Sequence, residues 1–329
     1  MTDPAPPAIE VLNLHRNFGR LKAVDGVSFE ITPGNVVGFV GANGAGKTTT
    51  MRILATLDYP TRGTLKIGGI DIVQYPSKVR SKIGWMPDSF GTYNHMTVVE
   101  YLDFFARALG FAGQERADRI ADVMNFTDLD SLSDRLINTL SKGMSQRLCL
   151  GRALIHDPDV LVLDEPAAGL DPKARVELKH LIRILAEDGK TVLISSHILS
   201  ELSEMCDSLL FINKGKIIHQ GSAESLKQDD SGVTIIKVEI HGDTEKLSEW
   251  AQMSPNLKLK ETLKNGARIE VDSVDSEVIS DVLRRMINDG LSVIEFHREE
   301  RKLEDAFIDI LGEIEAKEST SPTPSPDKQ

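Results

Sequence analysis

The chain has 329 residues, 50 acidic against 38 basic side chains, and a net charge of −12. At roughly 150 residues per domain this predicts two domains, and the acidic balance excludes nonspecific nucleic-acid binding, which needs clustered Lys and Arg. The two cysteines, Cys149 and Cys206, exclude a disulfide framework and a four-cysteine zinc site, and the chain lacks the run of about 18 apolar residues that spans a bilayer.

Residues 1–8 are Pro-rich without an apolar core, which predicts a flexible lead-in and no signal peptide. From Ile9 to residue 222, short apolar strands alternate with helix-length amphipathic stretches, the pattern of an α/β domain. Val36–Val40, Val160–Leu163 and Thr191–Ser195 are the clearest strands, rich in Val, Ile and Leu as strands covered on both faces are. Thr97 is the expected N-cap of a helix that follows a polar segment. Residues 223–231 form a polar linker. Beyond it, Ile236, Val238 and Ile240 alternate with Lys237 and Glu239, Thr244–Gln252 suits a helix, and Leu257–Leu263 and Ala267–Val271 flank Asn265-Gly266, a hairpin signal. Val274–Asn288 suits a second helix and Ser292–His297 another strand. The order β-α-β-β-α-β predicts a small α+β ferredoxin-like domain over residues 232–312. Leu303, Ala306, Phe307, Ile310 and Leu311 share one face of a last helix, and residues 313–329 read as a disordered tail.

The strand Val36–Val40 leads into Gly41-Ala42-Asn43-Gly44-Ala45-Gly46-Lys47-Thr48, then the helix-like run Thr49–Leu57. This fits G-x-x-x-x-G-K-[ST] in the strand–loop–helix context the motif requires. Glycines let backbone N–H groups converge on phosphate oxygens, and the helix N-terminus favours negative charge. Lys47 is expected on the β- and γ-phosphates and the Thr48 hydroxyl on Mg²⁺. Thr49 completes the nucleotide-binding set.

The strand Val160–Leu163 ends in Asp164-Glu165. In a P-loop protein an acid at this strand end holds Mg²⁺, a role assigned to Asp164. Glu165, one residue on, is placed to orient an attacking water as general base. His197 ends the third strand, where its imidazole could contact both the γ-phosphate and Glu165.

These residues together resemble the ATP-binding-cassette family. The resemblance covers residues 9–222 and rests on Phe18, the phosphate loop, Leu140-Ser141-Lys142-Gly143-Met144-Ser145-Gln146-Arg147, Asp164-Glu165, Ala168-Gly169-Leu170-Asp171 and Ser195-Ser196-His197. It implies a P-loop cassette with a mixed sheet and a helical signature subdomain. It also implies that Phe18 stacks on adenine, that two cassettes clamp two ATP molecules head to tail, and that Ser141, Gly143 and Met144 of one cap the γ-phosphate held by the other. Asp171 falls in the loop that crosses between the sites, and His197 matches the switch histidine. Three positions depart from the family pattern. Lys142 replaces a signature glycine, Met144 replaces its glutamine, and Asp88, after Ile83-Gly84-Trp85-Met86-Pro87, replaces a glutamine that touches Mg²⁺. A carboxylate is at least as good a ligand for Mg²⁺, so Asp88 joins Thr48 and Asp164 as an expected metal ligand.

Leu303-Glu304-Asp305-Ala306-Phe307 is similar to a segment in ATP-binding subunits of daunorubicin-resistance-type exporters. The implied protein is the ATP-hydrolysing subunit of a membrane exporter. It is a homodimer or heterodimer held on the cytoplasmic face of the membrane by a separate permease, which the segment Asp88–Thr97, with Gly91, Tyr93, Asn94 and His95, would contact. The C-terminal domain is expected to support the dimer or regulate it. A soluble cassette ATPase acting on ribosomes or DNA fits less well, because one cassette is present and Lys47 and Asp164 are 164 − 47 = 117 positions apart with no sustained heptads between them. A non-hydrolysing regulatory adaptor is opposed by intact Lys47, Asp164, Glu165 and His197.

Overall fold

The computed structural model describes residues 6–89, 91, 95–203, 205–222, 225, 233–299, 307 and 312. The expected tail, most of the linker, most of the last helix, and Tyr93 and Asn94 lie outside the described residues. The chain divides into two compact units, residues 1–223 and 224–329.

In the first unit β1 (Ile9–Phe18), β2 (Leu21–Ile31), β4 (Arg62–Ile67) and β5 (Ile70–Asp71) form an antiparallel sheet in the order β2-β1-β4-β5. A second sheet contains β3 (Val36–Val40), β6 (Ile83–Met86), β7 (Val160–Leu163), β8 (Thr191–Ser196), β9 (Ser208–Asn213) and β10 (Lys216–Gly221), in the order β10-β9-β3-β8-β7-β6. Its pairings are parallel except that of β10 with β9. Every residue of β3, β7 and β8 is buried, which explains their unbroken apolar runs.

Register places three strand ends together. β8 lies between β3 and β7, with Val40 opposite Ser196 and Leu163 opposite Ile194. Ligands bind outside such carboxyl ends. The loop after β3 enters α1 (Lys47–Leu54), a shorter helix than the run Thr49–Leu57 suggests and one beginning at the lysine itself. Two glycines there answer to close packing. A Cβ on Gly41 would sit 2.4 Å from the Ile212 carbonyl, and one on Gly46, at φ +112°, 2.6 Å from the Ala23 carbonyl.

Between β6 and β7 the chain makes α3 (Val98–Ala108), α4 (Gly113–Phe126) and α5 (Lys142–Leu154). The Thr97 side chain accepts the Glu100 N–H while the Glu100 carboxylate accepts that of Thr97, a reciprocal cap. α2 (Pro76–Arg80), α6 (Pro172–Glu187) and α7 (Leu199–Ser203) complete the unit.

The second unit is β11 (Thr234–Ile240), α8 (Thr244–Met253), β12 (Leu257–Leu263), β13 (Gly266–Val271), α9 (Ser276–Asn288) and β14 (Val293–Arg298). The sheet is antiparallel in the order β12-β13-β11-β14, the ferredoxin-like arrangement. Ile236, Val238 and Ile240 point inward with Leu247, Ala251, Val282 and Met286 from the helices. The hairpin differs in one detail from its sequence signal. Leu263 pairs Gly266, so the tip is Lys264-Asn265 and Gly266 belongs to the strand. Glycine is required there because a Cβ would lie 1.9 Å from the Val238 carbonyl.

The sheet residues between the inward ones carry ion pairs: Lys237 with Glu239 and Glu295, Arg268 with Glu261 and Glu299, and Lys258 and Lys260 with Glu270. Positive charge there is locally neutralised, and a nucleic-acid platform would need it free and interleaved with aromatics. Ile236→Ala removes a fully buried side chain and is expected to cost about 2–5 kcal/mol, read from the denaturant midpoint of the full chain.

Candidate functional site

A cavity of about 380 Å³ opens at the three strand ends, lined by phosphate-loop residues together with Asp88, Lys142, Glu165, Ala168 and His197. Lys47 is buried and its ammonium donates to the Gly41 carbonyl at 2.6 Å. Its Nζ also lies 3.5 Å from Glu165 Oε1. A buried cation with such partners is held rather than mobile.

The carboxylates differ in environment. Asp164 is 1% exposed. Its Oδ1 accepts from the Ser195 hydroxyl at 2.6 Å, and its Oδ2 is buried with no hydrogen-bond partner among the described residues. Burial pushes its pKa up, opposed by the hydroxyls of Ser195 and Thr48, with the negative charges of Asp88 and Glu165 adding to the rise. The Glu165 backbone is left-handed at φ +49°, a conformation that costs a non-glycine residue free energy and clusters at functional sites. The Glu165 N–H donates to Ser195 Oγ at 2.9 Å. His197 Nδ1–H donates to Glu165 Oε2 at 2.8 Å. One serine between the two acids and one histidine on the second therefore orient the pair. An acid so placed can accept a proton from a water beside a phosphate.

Away from the cavity, Phe18 ends β1 half-exposed, with the Arg16 guanidinium 4.4 Å from its ring centre. Arg16 is itself held by both carboxylate oxygens of Asp58.

Comparison with known proteins identifies the arrangement. The family profile described as ABC transporter matches residues 24–168. The chain is 39% identical over 211 residues to the ABC transporter ATP-binding protein NatA of Bacillus subtilis (strain 168), across 64% of this chain and 86% of that one. It is 33% identical over 309 residues to the Nod factor export ATP-binding protein I of Burkholderia orbicola (strain AU 1054), across 92% and 97%. The chain belongs to the ABC transporter family, as an ATP-binding subunit. A solved dimeric bacterial ABC transporter cassette, MJ0796, superposes with a TM-score of 0.60 at 26% identity, covering 65% of this chain and 98% of that one. That structure corresponds to the cassette alone, whereas the 92% match reaches the C-terminal unit as well.

The segment Leu140–Gln146, expected from the sequence to be the family signature, leads into and starts α5. Ser141 is its N-cap, accepting the Met144 N–H, and is exposed. Gly143 packs on α6, where a Cβ would meet Ala174 Cβ at 3.0 Å. Met144 Sδ faces the Arg135 guanidinium at 3.9 Å. Asp171 caps α6 through the Ala174 N–H at 2.9 Å, an exchange typically worth about 1 kcal/mol. Ser141, Gly143, Met144 and Asp171 are thus not among the residues lining this chain's own cavity, while Lys142 is, and it lies against Gly169.

Three contributors stand in no motif of their own: Ser195 between the acids, Arg16 over Phe18, and Ala23 in the cavity lining. Ser195 was legible only as part of Ser195-Ser196-His197. Its bridging position depends on β7 and β8 being neighbours.

The raised pKa of Asp164 has a stability consequence. Its folded-state pKa lies above the ordinary 3.8, so its favourable contribution is complete below 3.8 and lost as pH rises through the raised value. Asp164→Asn is expected to raise the thermal midpoint at pH 7–8 without added nucleotide, with the gain vanishing in acid, measured by calorimetry across pH.

Proposed function

We propose that the chain hydrolyses ATP with Mg²⁺ as the ATP-binding subunit of an exporter, working as a head-to-tail dimer on a separate permease at the cytoplasmic face of the membrane. The observation that carries this reading is the convergence of the phosphate loop, Asp88, Glu165 and His197 on one cavity. The residues Gly41 to Thr49 would cradle the triphosphate with backbone N–H groups, Lys47 would take β- and γ-phosphate oxygens, and Phe18 would stack on the adenine.

The metal fits the donor set. Asp164 Oδ2 is buried and without a hydrogen-bond partner among the described residues, and Asp88 is near enough to raise its pKa. Oxygen ligands from Thr48, Asp164 and Asp88 suit a hard cation. Bound there, Mg²⁺ would neutralise charge on the β- and γ-phosphate oxygens.

Glu165 would take the proton of the attacking water as its oxygen bonds to the γ-phosphorus. The bond from that phosphorus to the β,γ-bridging oxygen breaks, leaving ADP and phosphate. His197 would hold Glu165 in one orientation through its Nδ1–H. Ser141, Gly143, Met144 and Asp171, being outside their own cavity, remain available to a partner cassette. The exposed Ser141 hydroxyl and the start of α5 suit a γ-phosphate.

Export is supported by relatives named for it, among them the Nod factor export proteins and the probable multidrug ABC transporter ATP-binding protein YbhF of Escherichia coli (strain K12), 34% identical across 90% of this chain and 50% of that one. Among the described residues no helix is long and apolar enough to cross a membrane, so the permease would be another chain. Its docking surface would combine the segment Asp88–Thr97 with a groove of about 340 Å³ lined by Leu57, Trp85, Phe105, Leu109, Arg152 and others. The C-terminal unit would support the dimer or regulate it. Loss of neither dimer, ATPase rate nor permease association on deleting residues 232–329 would remove that role.

Glu165→Gln is expected to lower turnover by about 10²–10⁴ and to accumulate an ATP-bound dimer in sedimentation velocity. A variant that stays monomeric at saturating ATP contradicts the reading. Asp88→Asn is expected to raise the Mg²⁺ concentration for half-maximal turnover, and unchanged metal dependence would remove Asp88 from the metal site.

A further inference from the structure

Glu201, on α7, is a carboxylate that the proposed reaction does not use, yet its side chain is only 4% exposed. A buried charge is costly unless paired. Its Oε1 lies 3.2 Å from Arg175 Nη2, and its Oε2 accepts from the Ser196 hydroxyl at 3.2 Å. Each partner adjoins a functional loop, Arg175 just after the 168–171 turn and Ser196 just before His197. Arg175, on the first turn of α6, also donates to the Leu170 carbonyl at 3.4 Å. Ser196 Oγ, beside His197, accepts the Ile198 N–H at 3.0 Å and so spans the histidine.

These contacts close a ring. Glu165 starts the turns that lead to α6, with its carbonyl accepting the Ala168 N–H and that of Ala167 accepting the Leu170 N–H. Leu170 leads through Arg175, Glu201 and Ser196 to His197, and His197 returns to Glu165 at 2.8 Å. One joint in the ring is poorly made. Arg175 Nε and Glu201 Oε1 are both buried and, among the described residues, neither has an aligned hydrogen-bond partner. A guanidinium and a carboxylate reach full strength as a parallel two-bond fork. The unused Arg175 Nε and Glu201 Oε1 leave room for that fork, so the joint has a second, stronger arrangement beside the present one.

We infer that Arg175, Glu201 and Ser196 form a positioning relay that carries the arrangement of the 168–171 loop to His197, and through it to Glu165. The inference rests on the hydrolysis and dimer reading above, in which that loop faces the partner cassette. Dimer closure tightens the Arg175–Glu201 joint, and the joint sets the histidine. A buried pair serving only to fasten α6 to α7 would affect stability and substrate binding as much as turnover, and a relay affects turnover selectively.

The test is steady-state ATPase kinetics on the full chain for Glu201→Gln, Arg175→Lys, Arg175→Gln and the double variant Arg175→Gln/Glu201→Gln. Misplacing a catalytic group by about 1 Å can cost about 10²-fold. Glu201→Gln and Arg175→Gln are expected to lower kcat at least tenfold with KM for ATP within about twofold. The double variant is expected to lose no more than either single one, as members of one chain of contacts do. Arg175→Lys is expected to recover part of kcat, and because Arg175 is 38% exposed it stays informative if the Glu201 variant folds poorly. In a Glu165→Gln background the same changes should leave the ATP-bound dimer intact. Unchanged kcat in both single variants overturns the relay. So does a loss of kcat accompanied by a raised KM, a lost dimer and a lowered thermal midpoint, which marks a structural pair. Absence of ATPase activity in the unmodified chain defeats the underlying reading instead.

Discussion

The placement of β8 between β3 and β7 is the constraint on which the rest depends. Parallel pairing with Val40 opposite Ser196 and Leu163 opposite Ile194 brings three loop starts to one edge of the sheet. The phosphate loop precedes the acidic pair by more than a hundred residues, and the histidine follows Glu165 by 32, yet each begins at the first residue beyond a buried strand. Backbone hydrogen bonds inside a fully buried layer leave little freedom for those ends to drift. The site is therefore positioned by the core and not by its own loops.

Groups that are costly to bury accumulate at this edge. Lys47, Asp164 and Glu201 are all buried, and Glu165 adopts a left-handed backbone. Each of the three buried groups has a partner: Gly41 of the phosphate loop for Lys47, Ser195 on the neighbouring strand for Asp164, and Arg175 with Ser196 for Glu201. The C-terminal unit shows the opposite arrangement. The charges of its sheet lie on the face away from the helices as partly exposed ion pairs, which contribute little individually, while the cluster between sheet and helices is apolar.

Much of the fold was readable from local pattern. The three apolar runs became β3, β7 and β8 almost residue for residue, and the alternation Ile236, Val238, Ile240 became β11, because period and side-chain type are local properties. Misreadings arose where a neighbour in space decides. Helix α1 begins at Lys47 since the phosphate loop folds back against Ala23 and Ile212, and Gly266 joins β13 because the β11 backbone passes beside it. Neither neighbour is near in sequence.

The residue types at the site, and their family, were determined by the sequence alone, since a phosphate loop and an acid pair are contiguous motifs whose chemistry is in the side chains. Only the tertiary structure decided how those motifs are wired. Ser195 joins both acids, His197 grips Glu165, and Arg175 meets Glu201, each across gaps of 26 to 32 positions that strand order and helix packing close. Spacing along a chain carries no information about such distances until the sheet has chosen its neighbours.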